Sequence, residues 1–312
     1  MVVVRWIISL ILVVTSLVGG RHDRPPVARY GSDDPYDKEE AIRVAMQIDE
    51  LDEEDEQNPW ELSGLFEGDI RMDPSNGRSA MVDETKRWPK GIVPCYIAEN
   101  NFSDKEKKVI RKAIKIISKK TCIKFRRYRE GDTNWVVFRS NSSGCWSNVG
   151  MHPGGQIVNL HSPGCVRLTT VIHELLHALG FWHQQSSSNR DDYVRILWKN
   201  IIPKRKISFK KYNSSLITDF GIEYDYDSIM HYSAKAFSKN RKPTIKPLQP
   251  NVVLGKRKGL SKKDIAKIQR MYESQCSERE SNTSSIEQDL SNSLVRCSLF
   301  SARLESFLHR LQ

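Results

Sequence analysis

Beyond residues 1–20 the sequence has no apolar run approaching the roughly 18 residues needed to cross a bilayer, so the rest of the chain is expected to be soluble. It also lacks an internal repeat and any long low-complexity tract, which argues against repeat and fibrous architectures. No nucleic-acid-binding motif accompanies the formal net charge of +11, and nucleic acid is not an expected partner. Acidic residues are scarce in the later part of the chain. Residues 21–78 hold 17 Asp/Glu against 7 Arg/Lys, a net of −10, whereas residues 79–312 carry +20. This split suggests an acidic segment covering a basic one, and a basic surface suited to acidic extracellular matrix or peptide partners. Two independently solvated charge distributions are the alternative.

What is present begins with MVVVRWIISLILVVTSLVGG. One early Arg, a short apolar run and small residues before Arg21 have the layout of a secretory signal peptide, with an uncleaved anchor as the other reading. Export makes the six cysteines, at positions 95, 122, 145, 165, 276 and 297, candidates for disulfides, although their number alone fixes no pairing. The sequons at Asn101, Asn141, Asn213 and Asn282 are candidate glycosylation sites in that compartment.

At 312 residues and 36.0 kDa the chain has room for one substantial domain or two small ones, plus accessory segments. Residues 37–56 place Ala41, Val44, Ala45, Ile48 and Leu51 at helical spacing before an acidic run, which predicts a short amphipathic helix. A turn signal over Asp73–Gly77 precedes Arg78, a natural cleavage point between the acidic and basic segments. From Trp88 the pattern predicts a compact α+β region. Its expected elements are a strand over Ile92–Ile97 and a helix over Ser103–Lys120, with Ser103 and Glu106 as a capping box and Val109, Ala113, Ile116 and Ile117 facing inward. Strands follow around Ile123–Tyr128, Trp135–Arg139 and Gln156–Leu160, then helices over Leu168–Leu179 and Ser261–Glu273. The tail, residues 277–312, begins polar and ends amphipathic; a frayed tail or marginal helix describes it better than a defined binding element.

The chemistry is concentrated in His173-Glu174-Leu-Leu-His177-Ala-Leu-Gly180-Phe-Trp-His183. Four residues of helix turn the chain by about 400°, so His173 and His177 point the same way and can bind one ion. Glu174 follows the first ligand closely enough to reach a water on that ion without binding the metal. Gly180 permits a backbone conformation barred to other residues, which lets the chain leave the helix and bring His183 round as third ligand. Three nitrogen ligands leave zinc an open position, the condition for catalysis. Two surface histidines with an unrelated third is the bland alternative, weakened by the Gly and third His at fixed spacing.

This extended motif resembles the metzincin signature, and Ser228-Ile-Met230-His231-Tyr232 resembles the Met-turn of the astacin family of zinc endopeptidases. The resemblance runs from about Trp88 to Cys276 and implies a two-lobed zincin-like fold. The N-terminal lobe would hold a twisted sheet and two long helices, and a mostly irregular C-terminal lobe would end in a last helix. It implies one zinc ion, Met230 as an apolar base, Tyr232 as a switchable metal ligand that later hydrogen-bonds the oxyanion, and no ligand role for His231. It also implies the disulfides Cys122–Cys276 and Cys145–Cys165. Cys95 and Cys297 remain over; they pair with each other or stay as free thiols or intermolecular bonds.

Phe66-Glu-Gly-Asp69 is similar to the propeptide motif in which the Asp binds zinc in place of water. The resemblance thus implies a signal peptide over 1–20, an inhibitory propeptide over 21–78, a catalytic domain over 79–276 and a tail over 277–312, with a trypsin-like protease cutting Arg78–Ser79. The residue after the third His is usually a Glu that receives the new N-terminus. Here it is Gln184, and Ser187 and Asn189 stand where Arg and Asp are common. An amide lacks the charge to pair with an ammonium. Leu254-Gly-Lys-Arg257 resembles a stretch forming a basic pocket for an acidic residue after the cut, with Arg257 as candidate; a plain surface Arg is the alternative. The reaction expected is hydrolysis of internal peptide bonds with Glu174 as base, and the competing reading is a zinc-containing binding homologue that has lost turnover.

Overall fold

The computed structural model describes residues 34–52, 57–72, 83–214, 217–255 and 258–279. Strand β1 (Ile92–Ile97) lies inside the main sheet, flanked in parallel by β2 (Lys124–Arg127) and β3 (Val136–Arg139). Parallel neighbours cannot be joined by a tight hairpin and need a crossover. Helix α1 (Lys38–Asp49) lies upstream of the sheet, and the crossover from β1 to β2 is helix α2 (Asp104–Lys120). Strand β5 (Gln156–Leu160) continues the parallel set beside β3, and the short β4 (Cys145–Ser147) runs antiparallel to β5 at the edge. The order is β2-β1-β3-β5-β4.

Strand alternation sorts the two faces of this sheet. Val93, Val136, Phe138, Val158 and Leu160 join the core built with α2 and α3 (Leu168–Ala178), while Val137, Trp146 and Ile157 form a smaller cluster on which Tyr36 and Leu65 pack. Residues after His183 build a second core from β6 (Val194–Ile196), β7 (Ile245–Pro247), Phe209, Tyr232 and Phe237. The last helix, α4 (Lys262–Met271), returns Ile268, Met271 and Tyr272 to the first core.

The capping box of α2 forms as expected, with Ser103 N donating to Glu106 at 2.8 Å. Its inward face differs by one position: Ile110, Ala113 and Ile117 are buried, and Val109 and Ile116 are only partly so. The expected upstream helix is shorter than its pattern, ending at Asp49, with Val44 and Ile48 docked in the main core. Strand β4 was not anticipated; three residues around a cysteine carry no readable alternation.

Both implied disulfides are present, Cys122–Cys276 across 154 positions and Cys145–Cys165 across 20. The first joins the end of α2 to the segment after α4. Cys95, buried in β1, has no disulfide partner among the described residues, and its candidate partner Cys297 lies outside them. So do the leader, Arg78, Ser79, Arg257, Asn282 and most of the tail. Asn141 and Asn213 are exposed. Asn101 is half-buried, its side-chain amide donating to Glu99 O at 3.2 Å and accepting from Ser140 N at 2.9 Å. Among the described residues no helix is long and apolar enough to cross a membrane.

Candidate metal centre

Helix α3 is buried along nearly its whole length, so its polar side chains must be satisfied internally. Its C-terminal end is held by side chains from both ends of the domain. Trp88 Nε1 donates to Ala178 O at 2.8 Å, and Tyr272 OH donates to Leu179 O at 2.8 Å. Gly180 follows with φ +109, and a Cβ there would meet Met271 Cε at 2.6 Å. Gly180→Ala is therefore expected to cost about 1–3 kcal/mol of stability and to weaken metal retention by displacing His183; a urea titration and a zinc assay check this.

The three histidines are oriented from behind. His173 Nδ1 donates to Ile229 O at 2.8 Å, His177 Nδ1 donates to Phe181 O at 2.7 Å, and His183 Nδ1 donates to Glu67 Oε2 at 2.9 Å. Each ring thus holds its proton at Nδ1 and turns a lone pair at Nε2 inward. The Asp69 carboxylate lies among these nitrogens, with Oδ2 2.9 Å from His173 Nε2 and Oδ1 3.5 Å from His177 Nε2. His183 Nε2 is 3.3 Å from both carboxylate oxygens.

Lone pairs facing a carboxylate in a fully buried site need positive charge between them. His177 Nε2 and Asp69 Oδ1 have no hydrogen-bond partner. Burial by itself lowers His183, but Asp69 and Glu67 outweigh it and raise the imidazole to about 9, while burial pulls His173 down to about 4. A cation at the centre satisfies all four groups. Their donor atoms lie within 4.8 Å of one another, and three imidazoles with one carboxylate suit tetrahedral zinc. The site therefore fits one zinc ion.

Glu174, one residue along the helix, is buried with neither carboxylate oxygen partnered. Burial, and then the negative charge on Asp69, push its carboxyl well above the usual carboxylate range. Such a group is suited to holding and releasing a proton.

The family model for Astacin, a peptidase family, matches residues 80–273, more than half of the chain. The chain belongs to the astacin family. Among its relatives, Seminal metalloprotease 1 of Drosophila melanogaster is 41% identical over 223 residues, covering 69% of this chain and 89% of that protein. Human Meprin A subunit beta is also 41% identical, over 211 residues and 67% of this chain, but the match spans only 29% of meprin's length. The solved structure of high choriolytic enzyme 1, a hatching enzyme zinc-protease from Oryzias latipes, aligns with TM-score 0.55 and 34% identity over 66% of this chain and 99% of that one. This astacin is accordingly a zinc metalloendopeptidase.

The turn Ser228–Tyr232 abuts the metal centre through Ile229 O, the acceptor for His173. Asp264 of α4 locks it, accepting from Ser228 Oγ at 2.6 Å and Ile229 N at 3.0 Å. Met230 is buried in the main core, and its carbonyl accepts from Gln184 N at 2.9 Å. His231 is satisfied away from the metal, with Nδ1 donating to Tyr232 O and Nε2 facing Tyr224 OH at 2.7 Å. Tyr232 packs on His183 with ring centroids 4.6 Å apart, and its hydroxyl donates to Glu67 O at 2.5 Å.

Four contributors escaped sequence reasoning. Glu67 holds His183 from behind and also accepts from Tyr212 OH at 2.5 Å. Glu61, which burial pushes above its ordinary range, accepts from Ser233 N at 2.6 Å and Ser233 Oγ at 2.7 Å. Trp60 stacks on His173 with centroids 4.1 Å apart. Lys267, 8% exposed, donates to Gln184 Oε1 at 2.5 Å, so the amide after the third histidine does meet an ammonium, one supplied by α4. Glu67 sits inside the Phe66–Asp69 motif, which was a usable signal; the others depend on chain segments brought together by folding.

Proposed function

We propose that this chain is the secreted, latent precursor of an astacin endopeptidase, with residues 21–78 as an inhibitory propeptide released by a trypsin-like cut after Arg78. The observation that carries this reading is the Asp69 carboxylate seated among His173, His177 and His183 beside an unpartnered Glu174. Gly68, at φ +100, makes the turn that aims Asp69; a Cβ there would come within 3.1 Å of Trp60 O. In the precursor the segment blocks the edge strand as well. Ser147 N donates to Asp69 O at 3.0 Å and Arg71 N donates to Ser147 O at 2.9 Å.

Release of this segment frees the edge of β4, onto which an extended peptide can add by main-chain hydrogen bonds. His173, His177 and His183 would hold the metal through Nε2. Zinc, when bound, supplies a Lewis acid that polarises a peptide carbonyl and acidifies a water. The Glu174 carboxylate would take a proton from the attacking water and pass it to the leaving amine. Tyr232, freed from Glu67 O, donates its hydroxyl to the negative charge developing on the scissile carbonyl oxygen. Arg257 is the proposed basic contact for an acidic residue after the cut, and acidic extracellular matrix is the proposed partner of the basic surface.

Trypsin treatment of the refolded precursor tests the proposal. The expected result is a new N-terminus at Ser79 together with cleavage of internal peptide bonds that a zinc chelator stops. Activity no greater than that of a Glu174→Ala control would sink the catalytic reading, and a first cut elsewhere would sink the assigned boundary.

A further inference from the structure

Helix α2 has two faces of opposite character. Ile110, Ala113 and Ile117 point into the core, whereas Lys105, Lys108, Lys112, Lys115 and Lys119 are all exposed. At about 100° per residue these five lysines fall within an arc of about 80°, on the side opposite the buried stripe. At about 1.5 Å per residue they recur roughly every 5 Å along about 21 Å of helix. No ion pair among the described residues engages any of the five; Asp104 meets Lys107, and Glu106 is held by Ser103 and Ser162.

We infer that this face docks a linear sulfated polysaccharide. Five like charges in a straight row repel one another, and the row costs folding stability unless a counter-charge of similar pitch lies along it. A linear polyanion supplies that charge, with entropy gained from released counterions. A lipid surface fits less well. The large apolar side chains exposed among the described residues are Ile42, Met46, Trp198, Ile207, Leu248 and Val253, and none lies on α2 to enter a bilayer. Nucleic acid also fits less well, because no exposed aromatic side chain interleaves with the lysines for bases to stack on. The inference rests on the extracellular reading above, since sulfated polysaccharide is met there. Because the lysines lie opposite the face of α2 that packs toward α3, docking would tether the enzyme on the side of α2 away from the metal-binding helix.

The test uses the full chain and immobilised heparin. A triple variant, Lys108→Glu, Lys112→Glu and Lys115→Glu, is compared with a charge-matched control carrying Lys199→Glu, Lys204→Glu and Lys210→Glu, three exposed lysines elsewhere. The α2 variant is expected to bind at least roughly tenfold more weakly and with a shallower salt dependence, and the control to stay within about twofold of the unaltered chain. Equal loss in both variants would reduce the effect to net charge and overturn the proposal. Tighter binding of the unaltered chain to phosphatidylserine vesicles or duplex DNA than to heparin would also overturn it. Thermal melts of both variants show whether either has unfolded; should the α2 triple do so, Lys112→Glu alone replaces it, with about a threefold loss expected. Heparin binding through α2 without peptidase activity would remove the catalytic reading and leave this one standing.

Discussion

Glu174→Gln is expected to lower kcat/KM of the trypsin-activated chain by about 10²–10⁴-fold while leaving one zinc per chain bound. The amide keeps the shape of the carboxylate but cannot take a proton. The imidazoles of His173 and His177 are oriented by Ile229 O and Phe181 O, neither of which this change touches or activation removes. Thermal stability of the uncleaved chain should hold or rise, because there the carboxylate is buried with no partner for either oxygen and its ionisation is opposed by burial and by Asp69. A quenched-peptide assay and metal analysis on the activated chain, with a melting curve on the uncleaved one, check the three parts. Activity near that of the unaltered chain would remove Glu174 from the mechanism; loss of zinc would make it a structural residue instead.

Asp69→Ala in the full-length chain is expected to raise peptide cleavage before any trypsin treatment by about 10–100-fold. Hydrogen bonds to a charged group are worth about 1.5–3 kcal/mol, and each factor of ten corresponds to about 1.4 kcal/mol. Complete release is not expected. Glu61 would still hold Ser233, Glu67 would still accept from Tyr232 and Tyr212, and Ser63 Oγ would still donate to Cys145 O at 2.9 Å. Pairing Asp69→Ala with Glu61→Ala should therefore release more activity than either change alone. If the Asp69→Ala precursor stays as silent as the unaltered one, latency resides in coverage of the β4 edge rather than in the carboxylate.

Elements with strong local signals were legible in the sequence. The capping box of α2, Ser103 with Glu106, marks that helix start, the apolar spacing of α4 places it within a few residues, and β1 and β5 match their expected bounds. The two histidines one turn apart, followed by Gly180 and His183, announced a metal site because helix geometry alone places the first two side by side. Strand β4 gave no comparable signal. Three residues are too few to show alternation, and its identity as a strand comes from pairing with β5.

Residues that act through partners far along the chain were not legible. Glu61 reads as an ordinary acidic residue, and only the approach of Ser233 gives its carboxylate donors. Lys267 reads as one of many surface lysines on an amphipathic helix, yet packing of α4 buries it and brings it to Gln184. The inward face of α2 shows a smaller version of the same limit. Val109, Ile110, Ile116 and Ile117 are all apolar, so periodicity admits more than one rotation of the helix, and packing on α3 selected Ile110 and Ile117.

The sequence by itself announced His173, His177 and His183 as a set able to hold a metal, because ligand type and helical spacing are local properties. The motif around Asp69 pointed to the metal by resemblance, but only the tertiary structure placed its carboxylate, more than a hundred positions before its partners, among the three histidines and brought Glu67 to orient the third of them. Those contacts join segments that no local pattern relates. They exist because the turn at Gly68 carries Asp69 to the histidines of α3 and to His183, where a buried carboxylate can meet the charge it needs.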